Sequence, residues 1–144
     1  MKIFISQKMS GRPQNAIEVE MLTIFKLWDC QHKKMMNERI HSYNSENIGK
    51  DSIELLSRSL AMLAEADIVL VPKAVKQAID DFMKENVQPF YASGFGETAF
   101  FVPSISEKLL SVELLKGCEF EFLIAKSYGK KVYTYDDDYT FEEV

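Results

Sequence analysis

Glu121 occupies an unusual position in a segment whose sequence predicts a helix. Residues 117–129 read GCEFEFLIAKSYG, and a helical rotation of about 100° per residue gathers the apolar side chains on one broad arc. That arc contains Cys118, Phe120, Ile124, Ala125 and Tyr128. Glu121 falls inside the arc, whereas Glu119 falls on the opposite side, beside Lys126, where we expect solvent.

A carboxylate that faces the core costs free energy unless it is paired, hydrogen-bonded or used in chemistry. Close to a helix N-terminus the helix dipole favours negative charge and offsets part of that cost. Glu121 is therefore the acid that the sequence singles out as a candidate functional residue. The alternative is that its side chain reaches the surface or caps a neighbouring loop, since single buried acids often have structural partners.

The first loop, residues 6–12, follows a predicted strand and carries several groups that could bind a ligand. It offers hydroxyls, an amide, a flexible glycine and a guanidinium, a combination suited to a sugar or a phosphate. These candidate binding residues are Ser6, Gln7, Ser10, Gly11 and Arg12. The loop has neither the G-x-x-x-x-G-K-[ST] nor the G-x-G-x-x-G pattern. The alternative is an ordinary connection in which Arg12 is solvated.

The histidines and cysteines of the chain do not indicate a catalytic or metal site. His32 lies in a lysine-rich helix end and is expected to be solvated, and a lone His41 is more often structural than catalytic. Cys118 behaves most simply as a small buried hydrophobe, and it shares no metal-ligand spacing with Cys30. We therefore expect no metal and no cofactor.

Strands alternate with helices along the chain, and this predicts an α/β fold with a mostly parallel sheet covered on both faces. The predicted strands are 1–6, 39–43, 67–72 and 131–135, and the predicted helices are 15–36, 51–66, 73–85, 107–116 and 117–128. The acidic tail, 136–144, is expected to be peripheral. In such sheets ligands bind at the carboxyl ends of the strands, where the first loop would lie.

Length and charge limit the possible classes of protein. A chain of 144 residues predicts one domain, residues 1–144. A net charge of −5 without a clustered basic stripe argues against partners such as nucleic acids or anionic membranes. The opening apolar stretch is too short for a signal peptide, and no run approaches the roughly 20 residues that span a bilayer. We therefore expect a cytoplasmic protein.

Three segments, in this order, resemble a known superfamily. They are Ile3–Ser6 with Gly11, Leu63–Val69, and Gly117–Glu121 continuing to Lys130. Together they resemble the nucleoside 2-deoxyribosyltransferase-like proteins, particularly small phage and bacterial members. The resemblance implies a flavodoxin-like (Rossmann-like) three-layer sandwich, here with an inserted segment around 73–116. It also implies an enzyme that cleaves or exchanges the N-glycosidic bond of deoxynucleosides.

The resemblance further implies roles for particular residues. The family nucleophile is the Glu eight residues before the helix-ending Gly, which is Glu121 here. The substrate-binding residues implied are Ser6, Gln7, Ser10, Gly11, Arg12, Ser59 and Gly117. The ligand would be a nucleoside or nucleotide, and a neighbouring subunit often completes the site, so we expect a homo-oligomer.

The chain also departs from the family pattern. Ser59 stands where well-studied transferases carry an Asp, and Leu114–Lys116 replaces a second Asp ahead of the nucleophile. The connection from Pro72 to Gly117 is also longer than small members usually have. Two alternatives therefore stay open beside the transferase: a deoxynucleoside 5′-monophosphate N-glycosidase and a non-catalytic nucleotide-binding module.

Overall fold

The computed structural model describes residues 1–9, 11–34, 36–40, 52–87 and 117–144. The helices are α1 (Gln14–Gln31), α2 (Ser52–Glu65), α3 (Lys73–Val87) and α4 (Cys118–Ser127), and the strands are β1 (Lys2–Ile5), β2 (Glu38–Ile40), β3 (Ile68–Pro72), β4 (Lys131–Tyr135) and β5 (Phe141–Glu143). The predicted helix 107–116 and the region 88–116 of the predicted insertion lie outside the described residues. Within the described ranges, no helix has the length and apolar character that a membrane crossing requires.

The five strands form one mixed sheet in the order β2-β1-β3-β4-β5. The first four are parallel, with Phe4 beside Val69 and Val69 beside Val132, and β5 runs antiparallel to β4. After β1 the chain forms β2 toward one edge of the sheet, and after β3 it forms β4 toward the opposite edge. The order of the strands therefore reverses between β1 and β3, and ligand crevices in α/β sheets form at that point, outside the carboxyl ends.

Two apolar cores, one on each face of the sheet, hold the helices in place. On one face Phe4, Val69 and Val132 pack with buried residues of α2, α3 and α4. On the other face Ile3, Ile5, Ile68 and Leu70 pack with Met21, Ile24 and Trp28 of α1. Alternate residues of β1 and β3 thus face opposite cores, which explains why both strands read as continuous apolar runs. The α/β fold with a mostly parallel sheet is confirmed.

The tail, predicted to be peripheral, forms the edge strand β5 of the sheet, and none of its residues is buried. Phe141 pairs with Tyr135 across β4 and β5, and its ring packs edge-on against Trp28, with 5.2 Å between the ring centroids. The Asp136 carboxylate accepts hydrogen bonds from the backbone N–H groups of Asp138 and Thr140, and this turns the chain back toward the sheet. The tail therefore lies at the edge of the sheet and contacts the core through Phe141.

The bounds of the second strand and the surroundings of His32 differ from the predictions. The second strand begins at Glu38 and its described part ends at Ile40, while His41 lies outside the described residues. His32 is not simply solvated, because its ring stacks on Trp28 with 3.7 Å between the ring centroids. The apolar face of α1 therefore extends to the residue that follows the helix, and His32 has a structural role there.

Candidate active site

Glu121 lies in the first turns of α4, where two helices and the end of a strand meet. Gly117 precedes the helix with φ 56° and ψ −114°, a left-handed conformation that favours glycine. The Glu121 side chain is buried, with the residue only 9% exposed. Its Oε1 accepts a hydrogen bond of 2.9 Å from the hydroxyl of Ser59 in α2. Its Oε2 is buried and has no hydrogen-bond partner among the described residues.

Burial raises the pKa of the Glu121 carboxyl above its ordinary value of 4.5. The hydroxyls of Ser6 and Ser59 act in the opposite direction, and the nearby charge of Glu119 raises the pKa further. Ser6 follows β1 and is almost fully buried, and its Oγ makes no hydrogen bond of normal geometry with a described residue. The Ser6 hydroxyl nonetheless lies close enough to lower the pKa of the carboxyl. The site thus holds a buried hydroxyl and a buried carboxylate oxygen, neither of which has a hydrogen-bond partner of normal geometry among the described residues.

The prediction that Glu119 faces solvent was wrong. Glu119 is 9% exposed, and its Oε1 accepts a 2.8 Å hydrogen bond from Lys8 Nζ. Tyr128, which was expected on the apolar arc, is 78% exposed, whereas Phe122 is buried in the core. The side of α4 that carries Glu119 is covered because it meets the first loop. Lys8 supplies the countercharge that makes burial of Glu119 tolerable.

The first loop is tied to α1 by a second acid, Glu20, which sequence reasoning did not single out. Arg12 binds the Glu20 carboxylate with both guanidinium nitrogens, at 3.0 and 2.8 Å. Arg12 also donates to the carbonyl of Lys8, and the amide of Gln7 donates to Glu20 and to the carbonyl of Ile17. Arg12 is therefore neither solvated nor turned toward Glu121.

Glu20 is electrostatically the reverse of Glu121. Partial burial acts to raise the pKa of Glu20, but the hydrogen bonds from Arg12 and Gln7 outweigh it and hold the pKa below 4.5. Hydrogen bonds from charged donors are the stronger ones, and the two-pronged Arg–carboxylate geometry adds specificity. Glu20 is thus a satisfied structural carboxylate.

Two further residues border the Glu121 site. The hydroxyl of Tyr135, at the end of β4, donates a 2.7 Å hydrogen bond to the carbonyl of Ser6. Tyr135 could have been found from the sequence, because the carboxyl ends of parallel strands share one edge of the sheet. Cys118 is buried in the core, and burial raises the pKa of its thiol to about 11. The thiol therefore stays neutral at physiological pH and is a poor nucleophile.

The predicted binding residues divide into separate groups. Ser6, Ser59 and Glu121 come together, and Gly117 shapes the start of the helix that carries Glu121. Gln7 and Arg12 turn toward Glu20 on α1, and Gly11 is exposed with φ 75°. Ser10 lies outside the described residues. The residues of the Glu121 group come from β1, α2 and α4, so only the fold brings them together.

The side chains at the Glu121 site were also compared with those that metal ions prefer. Across the described ranges, no group of three or more His, Cys, Asp or Glu side chains is placed to hold a metal ion. The polar groups that meet at the Glu121 site are a carboxylate and two serine hydroxyls, which suit a nucleophile or hydrogen bonding to a small ligand better than metal coordination. The chain matches no family model, no curated protein and no solved structure.

Proposed function

We propose that this chain is a nucleoside 2-deoxyribosyltransferase-like enzyme with a flavodoxin-like fold, in which Glu121 is the nucleophile. The observation that carries the proposal is the carboxylate itself, which is buried and hydrogen-bonded through Oε1 with Oε2 unpartnered among the described residues. The strand order β2-β1-β3-β4-β5 supports the flavodoxin-like assignment. The position of Glu121 near the carboxyl end of β1 fits the place where such folds bind ligands.

The reaction would proceed by double displacement. A lone pair of Glu121 Oε2 forms a bond to the anomeric carbon of the deoxyribose as the N-glycosidic bond breaks. The departing base takes the electron pair of that bond and gains a proton from water. A nitrogen of a second base, or a water molecule, then attacks the same carbon, loses its proton and releases the carboxylate. The configuration at the anomeric carbon is retained, as in retaining glycosidases.

The ion pairs of the first loop favour a nucleoside over a 5′-monophosphate. Arg12 is bound to Glu20 and Lys8 is bound to Glu119, so neither cation is available for a phosphate without breaking an existing pair. The N-glycosidase acting on 5′-monophosphates is therefore the second candidate.

A base-release and base-exchange assay tests this proposal. Deoxynucleosides and their 5′-monophosphates are offered with and without a second free base, and the products are separated by chromatography. We expect wild type to release or exchange bases from nucleosides, and Glu121→Gln to lose this activity. Glu143→Gln is the matched control, because Glu143 is exposed on β5 and pairs with Lys131 away from the site. That variant should keep wild-type activity.

The outcomes separate the alternatives. Exchange that needs a second base identifies a transferase, whereas release into water alone identifies a hydrolase. A preference for 5′-monophosphates would favour the second candidate. If folded wild type turns over no substrate but binds nucleosides with measurable heat in calorimetry, the chain is a binding module and the enzymatic proposal is wrong.

A homo-oligomer is also part of the proposal, because members of the family that the chain resembles often complete the site with a neighbouring subunit. Light scattering coupled to size-exclusion chromatography at micromolar concentration measures the molar mass directly. A multiple of 16.6 kDa is the expected result. A monomer across the concentration range would contradict it.

A further inference from the structure

We propose that Ser59 is a positioning residue that holds Oε1 of Glu121 and thereby presents Oε2 to the substrate. This inference rests on the proposed function, and it gives Ser59 a different role from direct substrate binding. The hydroxyl of Ser59 donates to Oε1 at 2.9 Å, and both side chains are buried. The donor lies 62 residues before the acceptor, so this bond joins α2 to α4 at the site itself.

The packing of the two helices makes this hydrogen bond a rigid support. Leu63 and Ala66, at and just after the end of α2, share one buried core with Phe122 and Ala125 of α4. Ser59 and Glu121 are therefore carried by two helices that pack into the same core. A reacting group that is held by a packed side chain loses little conformational entropy when the substrate binds.

The hydrogen bond from Ser59 makes the two oxygens of the Glu121 carboxylate unequal. A serine hydroxyl has a single hydrogen, and in Ser59 that hydrogen is directed at Oε1. Oε2 is buried and has no hydrogen-bond partner of normal geometry among the described residues, although the Ser6 hydroxyl lies near the carboxyl. In this proposal Oε2 is the oxygen that attacks carbon. The geometry thus distinguishes an anchored oxygen from a reacting oxygen.

The same hydrogen bond favours the ionised form of the Glu121 carboxyl. A donor that faces a carboxylate favours its charged form, and Ser59, together with the stronger effect of the Ser6 hydroxyl, lowers the pKa of Glu121 against the opposing effect of burial. The other groups that influence this carboxyl are Ser6 from the end of β1 and Glu119 from α4, and Lys8 neutralises Glu119 by its ion pair. Loss of the Ser59 hydroxyl should therefore raise the pKa of Glu121 further.

The test measures the titration of Glu121 directly. Protein labelled with ¹³C at the Glu side-chain carboxyl is titrated by NMR, and the Glu121 resonance is assigned by its absence in Glu121→Gln. Ser59→Ala should move the midpoint to higher pH, and Ser59→Thr, which retains a hydroxyl, should restore it. Ser57→Ala is the matched control, because Ser57 lies on the same helix and is exposed. Ser59→Cys serves as a nearly isosteric second variant if Ser59→Ala fails to fold.

Kinetics provide the second readout. We expect Ser59→Ala to lower kcat about 10-fold or more, the loss that a hydrogen bond to a charged group predicts. KM should change by less than about 2-fold, because a positioning residue acts on the transition state. The acid limb of the pH profile should move upward with the NMR midpoint. A higher KM at unchanged kcat would instead identify Ser59 as a substrate-binding residue and overturn the proposal.

The two readouts separate this inference from the proposed function. An unmoved Glu121 midpoint in Ser59→Ala and Ser59→Cys overturns the positioning role, whether or not the wild type is active. If the midpoint moves but wild type turns over no nucleoside, the glycosyl reaction is wrong while the control of Glu121 by Ser59 stands. A lower thermal stability with an unchanged midpoint would assign Ser59 a purely structural role.

Discussion

Glu20 and Glu121 lie beside the same first loop, yet their pKa values are shifted in opposite directions. Glu20 accepts hydrogen bonds from Arg12 and Gln7, and its pKa lies below 4.5. Glu121 receives one hydrogen bond from Ser59, and burial raises its pKa. The Glu20 carboxylate is fully hydrogen-bonded and stabilises the loop, whereas the Glu121 carboxyl has one oxygen with no partner among the described residues.

The difference arises from which acids the positively charged side chains of the first loop bind. The two cations of the first loop, Lys8 and Arg12, pair with Glu119 and Glu20 and leave Glu121 with neutral donors. A strong countercharge on Glu121 would have stabilised the carboxylate and weakened it as a nucleophile. Groups with shifted pKa values and unsatisfied polar atoms concentrate at functional sites for this reason.

The largest expected effect is on activity. Glu121→Gln should lower kcat for base release or exchange on the order of 10⁴-fold or more, because removal of a reacting group costs that much in other enzymes. Glu20→Gln should reduce it by less than about 10-fold, since its carboxylate only anchors the loop. Steady-state rates of the two purified variants measure this contrast. Equal losses in both would remove the functional distinction between the two acids.

The second effect is on stability, with opposite signs for the two acids. Glu121→Gln should raise the free energy of unfolding at pH 7 by about 0.5–2 kcal/mol, because a neutral amide replaces a buried, poorly satisfied carboxylate. Glu20→Gln should lower it by about 1 kcal/mol, since the pair with Arg12 is partly exposed and screened by solvent. Urea unfolding followed by circular dichroism gives both values, and changes of the same sign would contradict the comparison.

The third effect is on the pH dependence of stability, and its sign follows from the direction of each pKa shift. The raised pKa of Glu121 adds stability that is complete below pH 4.5 and is lost as pH rises through the folded-state pKa. The lowered pKa of Glu20 adds stability that is present above pH 4.5 and is lost as pH falls through the folded-state pKa.

Urea unfolding between pH 3 and pH 8 tests these signs. The advantage of Glu121→Gln over wild type should grow with pH, and the deficit of Glu20→Gln should shrink as pH falls. Glu143→Gln, at an exposed position, provides the baseline for removing one surface charge. Parallel curves for Glu121→Gln and Glu143→Gln would show that Glu121 titrates normally.

The smallest expected effect comes from Tyr135, which supports the Glu121 region through the backbone. Tyr135→Phe removes the buried hydrogen bond to the carbonyl of Ser6 and should cost about 1 kcal/mol of stability. The pKa of Glu121 should stay unchanged, because Ser59 still donates to its carboxylate. NMR titration and thermal unfolding measure the two quantities. A shifted Glu121 midpoint would extend the polar network of the site to Tyr135.

Much of the fold could be predicted from the sequence because the central strands carry strong local signals. The apolar runs Ile3–Ile5 and Ile68–Val71 suit strands buried on both faces, and the structure contains β1 and β3 at these positions. The strand in the tail, β5, was not predicted. Its residue Phe141 packs against Trp28, which is distant in sequence. Local sequence cannot report such a contact.

The candidate site divides in the same way. Helical periodicity identified Glu121 as a buried acid, and the structure confirms its burial. The same periodicity wrongly placed Glu119 in solvent, because it gives the angle between two side chains and not the number of neighbours that cover a helix. The ion pair with Lys8 spans 111 residues of sequence and exists only because the first loop reaches α4.

The sequence by itself determined the alternation of strands and helices and the presence of one acid among the apolar residues of α4, since both follow from local periodicity. Only the tertiary structure decided the partner of each charge: Arg12 for Glu20, Lys8 for Glu119 and Ser59 for Glu121. The physical reason is that a pKa depends on burial and on donors within a few ångströms. Those donors arrive from elements that are distant in sequence and meet only when the sheet has formed.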